Sequence, residues 1–315
     1  MDLVRPRSIR TCALFLLLSS AVANATTVEI EMVDCPLGEG SVKVYHLSST
    51  NQRGGYDSDL ASYASQGQFR TYAVSTCPEN MFSLRGTDMA VDLGPVDQEK
   101  LEAVIDGETQ RLADAENPTV WERYRIAARI YEFLGHSQLT LANLYLEASW
   151  TARDEAVGVY LGLNGPKDAA SLLAGGDQEL QKELSTEQRK VVLWNLARVA
   201  HRAGENTKRD GYVQEFRSLG ALTDAETQAV QVLNNVAHEI EPALQRLALA
   251  AFKKALEEEL SPTERARAKY LEAELNRRLG NADVAAPLFV AVRDDTQTEN
   301  SMRDMASLFA DQLRH

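Results

Sequence analysis

The sequence predicts a mainly α-helical protein, an irregular array of helical hairpins that follows a small N-terminal β-containing domain. The composition is that of a folded chain with a preference for helix, since 44% of its 315 residues are hydrophobic and only 9 are proline. From Pro95 onward, apolar residues recur at spacings of three and four, which is typical of amphipathic helices. Before Pro95, short runs such as Val28, Ile30 and Met32 alternate with polar residues and indicate strands.

The first residues have the pattern of a secretion signal. Arg5, Arg7 and Arg10 precede an uncharged run over 11–23, and an Ala-x-Ala motif ends at Ala25. We therefore expect cleavage after Ala25 and an exported chain, periplasmic or secreted. An uncleaved anchor is the alternative. No uncharged run in the sequence reaches the roughly 20 apolar residues that a membrane span needs, so no transmembrane span is expected.

The net charge narrows the choice of partners. The full chain has 33 basic and 46 acidic residues. Removal of 1–25 takes away three basic residues and one acidic residue, which leaves 30 and 45 and a net charge of −15. A chain of this charge repels nucleic acid and anionic lipid unless its cations are gathered on one face. We therefore expect a protein or peptide partner and no nucleic acid.

Two cysteines remain after this processing, because Cys12 leaves with the signal. An even pair in an oxidising compartment predicts one disulfide, between Cys35 and Cys77. Each of the two precedes a proline in a tight turn between predicted strands. Such paired turns are similar to zinc knuckles, but a zinc ribbon needs a second cysteine in each turn, and Gly38 and Asn80 stand there instead.

The sequence therefore predicts no metal and no cofactor at these turns. His46 could supply a third ligand, although a single exposed histidine on a strand is the simpler interpretation.

The Cys-Pro turns flank a segment that contains Asp57, Ser58 and Asp59, and two helical motifs follow them. The matching positions of these motifs are Arg123, Ala127, Tyr131, Glu132, Leu134, Gly135, residues 142–146, Ala148 and Trp150. Over about residues 28–160 the chain resembles an uncharacterised bacterial family, the domain of unknown function numbered 2225. The usual form of that family keeps both complete knuckles, so the resemblance implies the fold here and leaves metal binding in doubt. It implies no activity. In an exported chain, the two surviving cysteines could replace zinc with a covalent link.

The helical part contains three segments that align on a glycine. Residues 128–135, 197–204 and 273–280 each have a small residue seven positions before the glycine and a second helix after it. This spacing is similar to that of tetratricopeptide hairpins, in which a small residue lets the second helix pack closely. Ser185 with Gln188 and Ser261 with Glu264 form predicted capping boxes at two of the helix starts.

Unequal spacing and a predicted break at Gly175-Gly176 favour an irregular tetratricopeptide-like array of about nine helices over a regular superhelix. A non-repeating helical domain is the alternative. The predicted organisation is a signal peptide over 1–25, a small β-rich domain over 26–94 and a tetratricopeptide-like domain over 95–315.

The sequence shows no enzyme signature of the nucleophile-elbow, zinc-helix, phosphate-loop or dinucleotide type, so we expect a non-catalytic protein. His238-Glu239 lacks a second histidine four residues on. Asp57 and Asp59 have the spacing at which a calcium loop begins, without the glycine and glutamate that must follow, and turn capping is the favoured interpretation. The alternative function is an enzyme or metal-dependent factor with its site around these two carboxylates.

The predicted binding site is a groove lined by the first helix of each hairpin. Its candidate residues are Arg125, Arg129, Trp194, Arg198, Arg202, Tyr270, Arg277 and Arg278, with His201 among them. Guanidinium groups bind carboxylates bidentately and aromatic neighbours add apolar area, so such a groove would hold an acidic peptide or a chain terminus. The second interpretation is that these arginines pair with Glu122, Glu132 and Glu274 on helix surfaces.

Overall fold

The computed structural model describes residues 26–112, 114, 116–158 and 162–314. The predicted signal peptide and its cleavage site lie outside these residues. The described chain is mainly helical, with strands concentrated near its N-terminus, as the sequence predicts.

The N-terminal region is made of short strands in three small sheets. An antiparallel hairpin of β1 and β2 forms the first sheet, the order β4-β3-β7 forms the second, and β5 pairs with β6 in the third. The strands are β1 (Thr27–Asp34), β2 (Ser41–Ser49), β3 (Gly55–Tyr56), β4 (Ser62–Tyr63), β5 (Val74–Thr76), β6 (Ser83–Arg85) and β7 (Leu163–Asn164).

Strand β7 belongs to the helical part of the chain and pairs in parallel with β3. Gly55 of β3 has a φ of +93°, and a Cβ atom there would lie 2.0 Å from the Leu163 carbonyl oxygen. Only glycine fits such a position. The β region is thus joined to the helices by backbone pairing, and one connected cluster of buried residues extends through both parts.

The disulfide between Cys35 and Cys77 is present, with 6.0 Å between the two Cα atoms, which confirms that prediction. The two positions that lack a knuckle cysteine also lie together. The Asn80 side chain donates a hydrogen bond of 2.5 Å to the Leu37 carbonyl oxygen. A Cβ atom on Gly38 would lie 2.9 Å from the same amide nitrogen. A covalent bond and a hydrogen bond therefore link the two turns.

The helices are α1 (Gln98–Thr109), α2 (Val120–Phe133), α3 (Gln138–Val157), α4 (Gly165–Glu179), α5 (Thr186–Ala203), α6 (Asn206–Ser218), α7 (Asp224–Asn235), α8 (Glu241–Ala255), α9 (Pro262–Arg278), α10 (Ala282–Asp294) and α11 (Asn300–Gln312). A π-helical segment, Val236–Ile240, joins α7 directly to α8. Among the described residues, no helix is both long enough and apolar enough to cross a bilayer.

The three aligned glycines are the turns of three helical hairpins, α2–α3, α5–α6 and α9–α10. Gly135, Gly204 and Gly280 have φ angles of +77°, +69° and +81°, the left-handed conformation that ends a helix. The alanines seven positions earlier, Ala128, Ala197 and Ala273, are buried. The capping boxes at Ser185 and Ser261 are both present, because each serine accepts a hydrogen bond from the backbone three residues on.

The array is irregular because its longest helix lies between two others. The 20-residue α3 packs against α2, its hairpin partner, and against the distant α8. The predicted helix break at Gly175-Gly176 is wrong, since both residues lie within α4. Gly176 faces α5, where a Cβ atom would lie 2.2 Å from the Leu196 side chain, so this glycine permits close helix packing.

Candidate functional site

The loop between β3 and β4 enters the helical part of the molecule. Asp57, Ser58 and Asp59 are each at most 2% exposed. The loop is a tight turn in which the Asp57 backbone amide donates to the Ala61 carbonyl oxygen at 2.8 Å. Leu60 completes the turn with a φ of +69°. This conformation directs both carboxylates toward the helices.

Arginines from two helices hold the carboxylates of this loop. Arg153 of α3 donates to Asp57 Oδ2 at 2.9 Å and to Asp59 Oδ2 at 2.5 Å. The same guanidinium donates to Glu241 Oε1 of α8 at 2.6 Å. Arg202 of α5 contacts the other oxygen of Asp57 with two nitrogens, at 2.9 and 2.6 Å. All five hydrogen bonds are charge-assisted, which makes them about twice as strong as neutral ones.

Helix α9 holds the centre of the loop. Ser58 Oγ donates to Glu274 Oε1 at 2.6 Å, and Tyr270 donates its hydroxyl to the Ser58 carbonyl oxygen at 2.7 Å. Arg277 and Arg278 each donate to Glu274, through Nε atoms at 2.7 and 2.8 Å. The hydroxyl group and the carbonyl oxygen of Ser58 are therefore both paired with side chains of α9.

We call this group of side chains the buried ion cluster. It comprises the carboxylates Asp57, Asp59, Glu241 and Glu274 and the guanidinium groups Arg153, Arg202, Arg277 and Arg278. Four negative charges face four positive charges, so the cluster is balanced, as buried charges must be. Its members come from β3–β4, α3, α5, α8 and α9.

The balance of charge determines the protonation state of the carboxylates. Burial alone would raise the pKa of Asp59, but Arg153 and Arg278 outweigh burial and hold that pKa well below its usual range. The pKa of Glu241 is lowered to about 2, because Arg153 and His201 more than offset the effect of burial. These carboxylates are therefore charged throughout the physiological pH range.

His201 of α5 lies next to the buried ion cluster and is neutral. Its Nε2 lies 3.1 Å from Glu241 Oε2, and its Nδ1 lies 3.5 Å from an Arg209 nitrogen. Arginine can only donate, so Nδ1 is the acceptor and Nε2 carries the proton. Burial lowers the pKa of His201, and the neighbouring Glu241 offsets only part of this effect.

These shifts predict how the stability depends on pH. His201 has a pKa below its unfolded value of 6.5, so the unfolded chain takes up the proton first and the free energy of unfolding falls as the pH drops below about 6.5. By pH 5.5 this loss amounts to at most about 1.4 kcal/mol. The lowered pKa values of Asp59, Glu241 and Glu274 cause a second loss below about pH 4.5.

Urea unfolding at pH 7.5, 5.5 and 3.5 measures both losses. A His201→Gln variant should lose less stability than the wild type between pH 7.5 and 5.5, whatever its stability at pH 7.5. The matched control is His238→Gln, which changes a half-exposed histidine and should keep the wild-type slope. Equal slopes in all three proteins would contradict the assignment to His201.

The structure brings together four of the residues predicted from sequence, Arg202, Tyr270, Arg277 and Arg278. They do not line an open groove, because the chain's own Asp57–Asp59 loop occupies them; Arg202, Tyr270 and Arg278 are buried, and Arg277 is partly buried. Arg277 and Arg278 pair with Glu274, as the second interpretation expects, but Glu274 is buried and does not lie on a solvated helix surface.

The remaining predicted residues lie elsewhere on the helices. Arg125 and Arg129 of α2 face Glu108 of α1, at 3.0 and 3.7 Å, and Arg129 also pairs with Glu132. Trp194 packs on Phe216 of α6, with 5.6 Å between ring centroids. Arg198 lies beside Gly158, where a Cβ atom would be 3.6 Å from its guanidinium group.

Sequence reasoning missed Arg153, which contacts the carboxylates Asp57, Asp59 and Glu241. A signal for it exists in the sequence, because the 15 residues before Arg153, 138–152, contain only one charged side chain, Glu147. An arginine in a helix that is buried all round needs an internal carboxylate.

The metal-site alternative involves the same loop. Asp57 and Asp59 are fully engaged by Arg153, Arg202 and Tyr63, whose hydroxyl donates to Asp57 at 2.9 Å. In the part of the chain that the structure describes, no group of three or more His, Cys, Asp or Glu side chains is arranged to hold a metal ion. His46 is half-exposed and pairs with Glu31 on the β1–β2 hairpin at 3.1 Å.

A cleft of about 740 Å³ lies between the β3–β4 segment and helices α3, α9 and α11. Its volume is in the range typical of ligand sites. We call it the Arg267 cleft. Its lining residues are Gln52, Tyr56, Leu60, Ser62, Trp150, Asn164, Pro166, Lys167, Arg267, Glu299, Ser301, Asp304, Met305 and Leu308.

Two residues that line this cleft carry a hydrogen-bond donor without a partner in the part of the chain that the structure describes. Trp150 is 8% exposed, and its indole Nε1–H makes no hydrogen bond. Arg267 of α9 is half-buried and, among the described residues, makes no hydrogen bond or ion pair, unlike Arg277 and Arg278 of the same helix. Burial lowers the pKa of Arg267, and the charge of Glu147 compensates only in part. An anionic ligand in the cleft would supply the acceptor that Arg267 lacks among the described residues.

The fold and these two sites define a class: a helical-hairpin protein whose disulfide-linked β region inserts an acidic loop among the helices. No protein-family model, no curated protein and no solved structure matches the chain. The resemblance to the domain of unknown function numbered 2225 therefore stays a prediction.

Proposed function

We propose that the chain is an exported, non-catalytic interaction scaffold that binds a carboxylate-bearing segment of a partner protein in the Arg267 cleft. The observation that carries the proposal is the guanidinium group of Arg267, which is half-buried in the lining of the cleft and has no hydrogen bond or ion pair among the described residues, with Trp150 in the same lining. A buried or half-buried charge without a partner is costly. An anion that binds such a cation in a cleft therefore gains more interaction free energy than it would from a cation in water.

The lining of the cleft narrows the ligand further. Tyr56, Leu60 and Leu308 offer apolar area, which suits a segment with apolar side chains around its carboxylate. Glu299 and Asp304 lie on the α11 side and would repel a run of acidic residues. The ligand that fits best has a single carboxylate, an aspartate or glutamate side chain or a chain terminus, with neutral or basic neighbours.

Export is the second part of the proposal. It rests on the signal-like pattern of the first 25 residues and is supported by the disulfide, since structural disulfides persist in oxidising compartments. Mass spectrometry of the mature protein tests it. A chain that begins at Thr26 is expected, and an intact Met1 would contradict it.

Substitution of Arg267 tests the binding site. Arg267→Ala should reduce affinity for the partner by about 1.5–3 kcal/mol, the value of a hydrogen bond to a charged group, which is roughly a 10-fold to 100-fold loss. It should leave the melting temperature unchanged or raise it, because the cation it removes is unpaired. Trp150→Phe, which keeps an aromatic ring and removes the N–H, should weaken binding less.

The partner for this measurement is obtained by co-purification from an envelope extract and then titrated against each purified variant. Arg217→Ala is the matched control, because Arg217 is an exposed arginine on α6. Full binding by Arg267→Ala, or equal losses in Arg267→Ala and Arg217→Ala, would overturn the cleft as the site.

A further inference from the structure

Strand β1 has a free edge. It pairs with β2 on one side, and among the described residues no strand pairs with its other side. The strand is eight residues long, and it exposes the backbone N–H and C=O groups of that edge. Natural proteins protect long edges with proline, lysine or a bulge inside the strand, because a free edge is a template for another strand. The sequence of β1, TVEIEMVD, contains neither proline nor lysine, and the register shift of β1 lies at its start, between Thr27 and Val28, so that 28–34 pair regularly with β2.

The two faces of the hairpin differ in chemistry. One face carries Val28, Ile30 and Met32 of β1 opposite Leu47, Tyr45 and Lys43 of β2, according to the pairing register, so its β1 row is apolar and Lys43 lies at one end of its β2 row. This face is open to solvent, with Ile30, Met32 and Leu47 exposed by 60%, 57% and 43%. An exposed apolar surface of this kind marks an interaction site.

The opposite face is acidic along β1. Glu29 and Glu31 are both exposed there, and each contacts β2, Glu29 through Ser48 at 3.1 Å and Glu31 through His46 at 3.1 Å. A strand added to the β1 edge would place its alternate side chains on these two faces in turn. It would meet apolar residues on one face and carboxylates on the other.

A second copy of this chain fits the edge poorly. Antiparallel pairing of β1 with itself around Ile30 keeps the apolar faces together, but it sets each Glu29 opposite a Glu31. Pairing around Glu29 or Glu31 sets a glutamate opposite its own copy. Like charges directly opposite each other destabilise a strand pair, and the net charge of −13 adds to the repulsion.

We propose that β1 is the docking edge for an extended segment of a partner, which adds as an antiparallel third strand and alternates apolar with basic residues. Its apolar side chains extend the row of Val28, Ile30 and Met32, and its lysines or arginines lie opposite Glu29 and Glu31. Main-chain hydrogen bonds supply affinity and the two faces supply specificity. This proposal is independent of the Arg267 cleft.

The test uses an eight-residue peptide of alternating lysine and valine with blocked ends. We expect it to bind the folded chain at low salt and to slow the hydrogen exchange of β1 amides at least 10-fold. A peptide with the same lysines and a central valine replaced by proline has the same charge but cannot form a continuous strand. It should bind at least 10-fold more weakly, and a glutamate-valine peptide should not bind.

Protein variants separate strand addition from general attraction to an acidic chain. Glu29→Lys/Glu31→Lys should weaken binding of the lysine-valine peptide at least 10-fold. The matched control, Glu99→Lys/Glu102→Lys on exposed positions of α1, makes the same change in charge and should have less than a threefold effect. Equal losses in both variants, equal binding of the proline peptide, or unprotected β1 amides would overturn the proposal.

Discussion

Replacement of Arg153 by methionine is expected to destabilise the protein by about 3–5 kcal/mol, the cost of breaking a buried ion pair from one side. Methionine has a similar length to arginine and leaves little cavity, so the loss of stability measures mainly the effect of removing the positive charge. Without the guanidinium group, Asp57, Asp59 and Glu241 would share one buried space with less positive charge to balance them. Urea unfolding at pH 7.5 measures the change.

The loss of stability expected for Arg153→Met depends on pH, whereas a loss caused only by poorer packing would not. With Arg153 gone, the buried carboxylates take up protons more readily than in the wild type, so the difference in stability should shrink as the pH falls toward 4. Arg153→Met/Asp59→Asn should recover part of the loss at pH 7.5, because it removes one of the unbalanced charges. This second variant keeps the test usable if the single variant folds poorly.

Arg217→Met is the matched control, since Arg217 is exposed on α6. Its effect should stay within about 0.5 kcal/mol, as for most surface substitutions. A loss below about 1 kcal/mol for Arg153→Met, or a loss that does not change with pH, would show that the buried ion cluster contributes little to stability.

The buried ion cluster also shows what the sequence could and could not predict. The sequence predicts Arg202, Arg277 and Arg278 as groove-facing positions on the first helix of a hairpin, with an acidic ligand between them. The ligand in the structure is the Asp57–Asp59 loop of the same chain. Arg202 and Arg278 lie 145 and 220 residues from the loop residues they contact, a separation over which local patterns give no information.

Local features were predicted more successfully because their causes are local. Gly135, Gly204 and Gly280 end helices through their own backbone conformation, and the serine caps at Ser185 and Ser261 act over three residues. The helix break predicted at Gly175-Gly176 is wrong because the conformation there depends on a contact with another helix. Contact with Leu196 of α5 stabilises that part of α4, and tertiary contact routinely overrides helix propensity.

The Arg267 cleft depends on contacts that a single sequence does not reveal. Arg267, Arg277 and Arg278 lie on one helix, yet Arg277 and Arg278 are paired with Glu274 while Arg267 lines a cleft. The difference comes from β3–β4 and α11, which cover different parts of α9. The same limit applies to β1, whose alternating pattern predicted a strand correctly but could not show that its apolar face is open.

Removal of the disulfide is expected to cost about 4 kcal/mol, because Cys35 and Cys77 are 42 residues apart and their bond restricts the unfolded chain. The variant for this test is Cys35→Ser/Cys77→Ser, and the measurement is urea unfolding beside the oxidised wild type. Reduction of the wild type should bring its midpoint close to that of the variant. If the bond restricts mainly the unfolded chain, the variant should also keep the helical circular dichroism of the native protein.

The structure provides an internal comparison for this value. Asn80→Ala removes the hydrogen bond to the Leu37 carbonyl oxygen, the non-covalent link between the same two turns, and should cost about 1 kcal/mol. Hydrogen exchange should show the loss of the disulfide first in β1–β2 and β5–β6, the two hairpins that the bond joins. If the cysteine variant loses no more stability than Asn80→Ala, the covalent link is not what holds the β region together, and the buried core around Val44, Phe82 and Leu84 stabilises it alone.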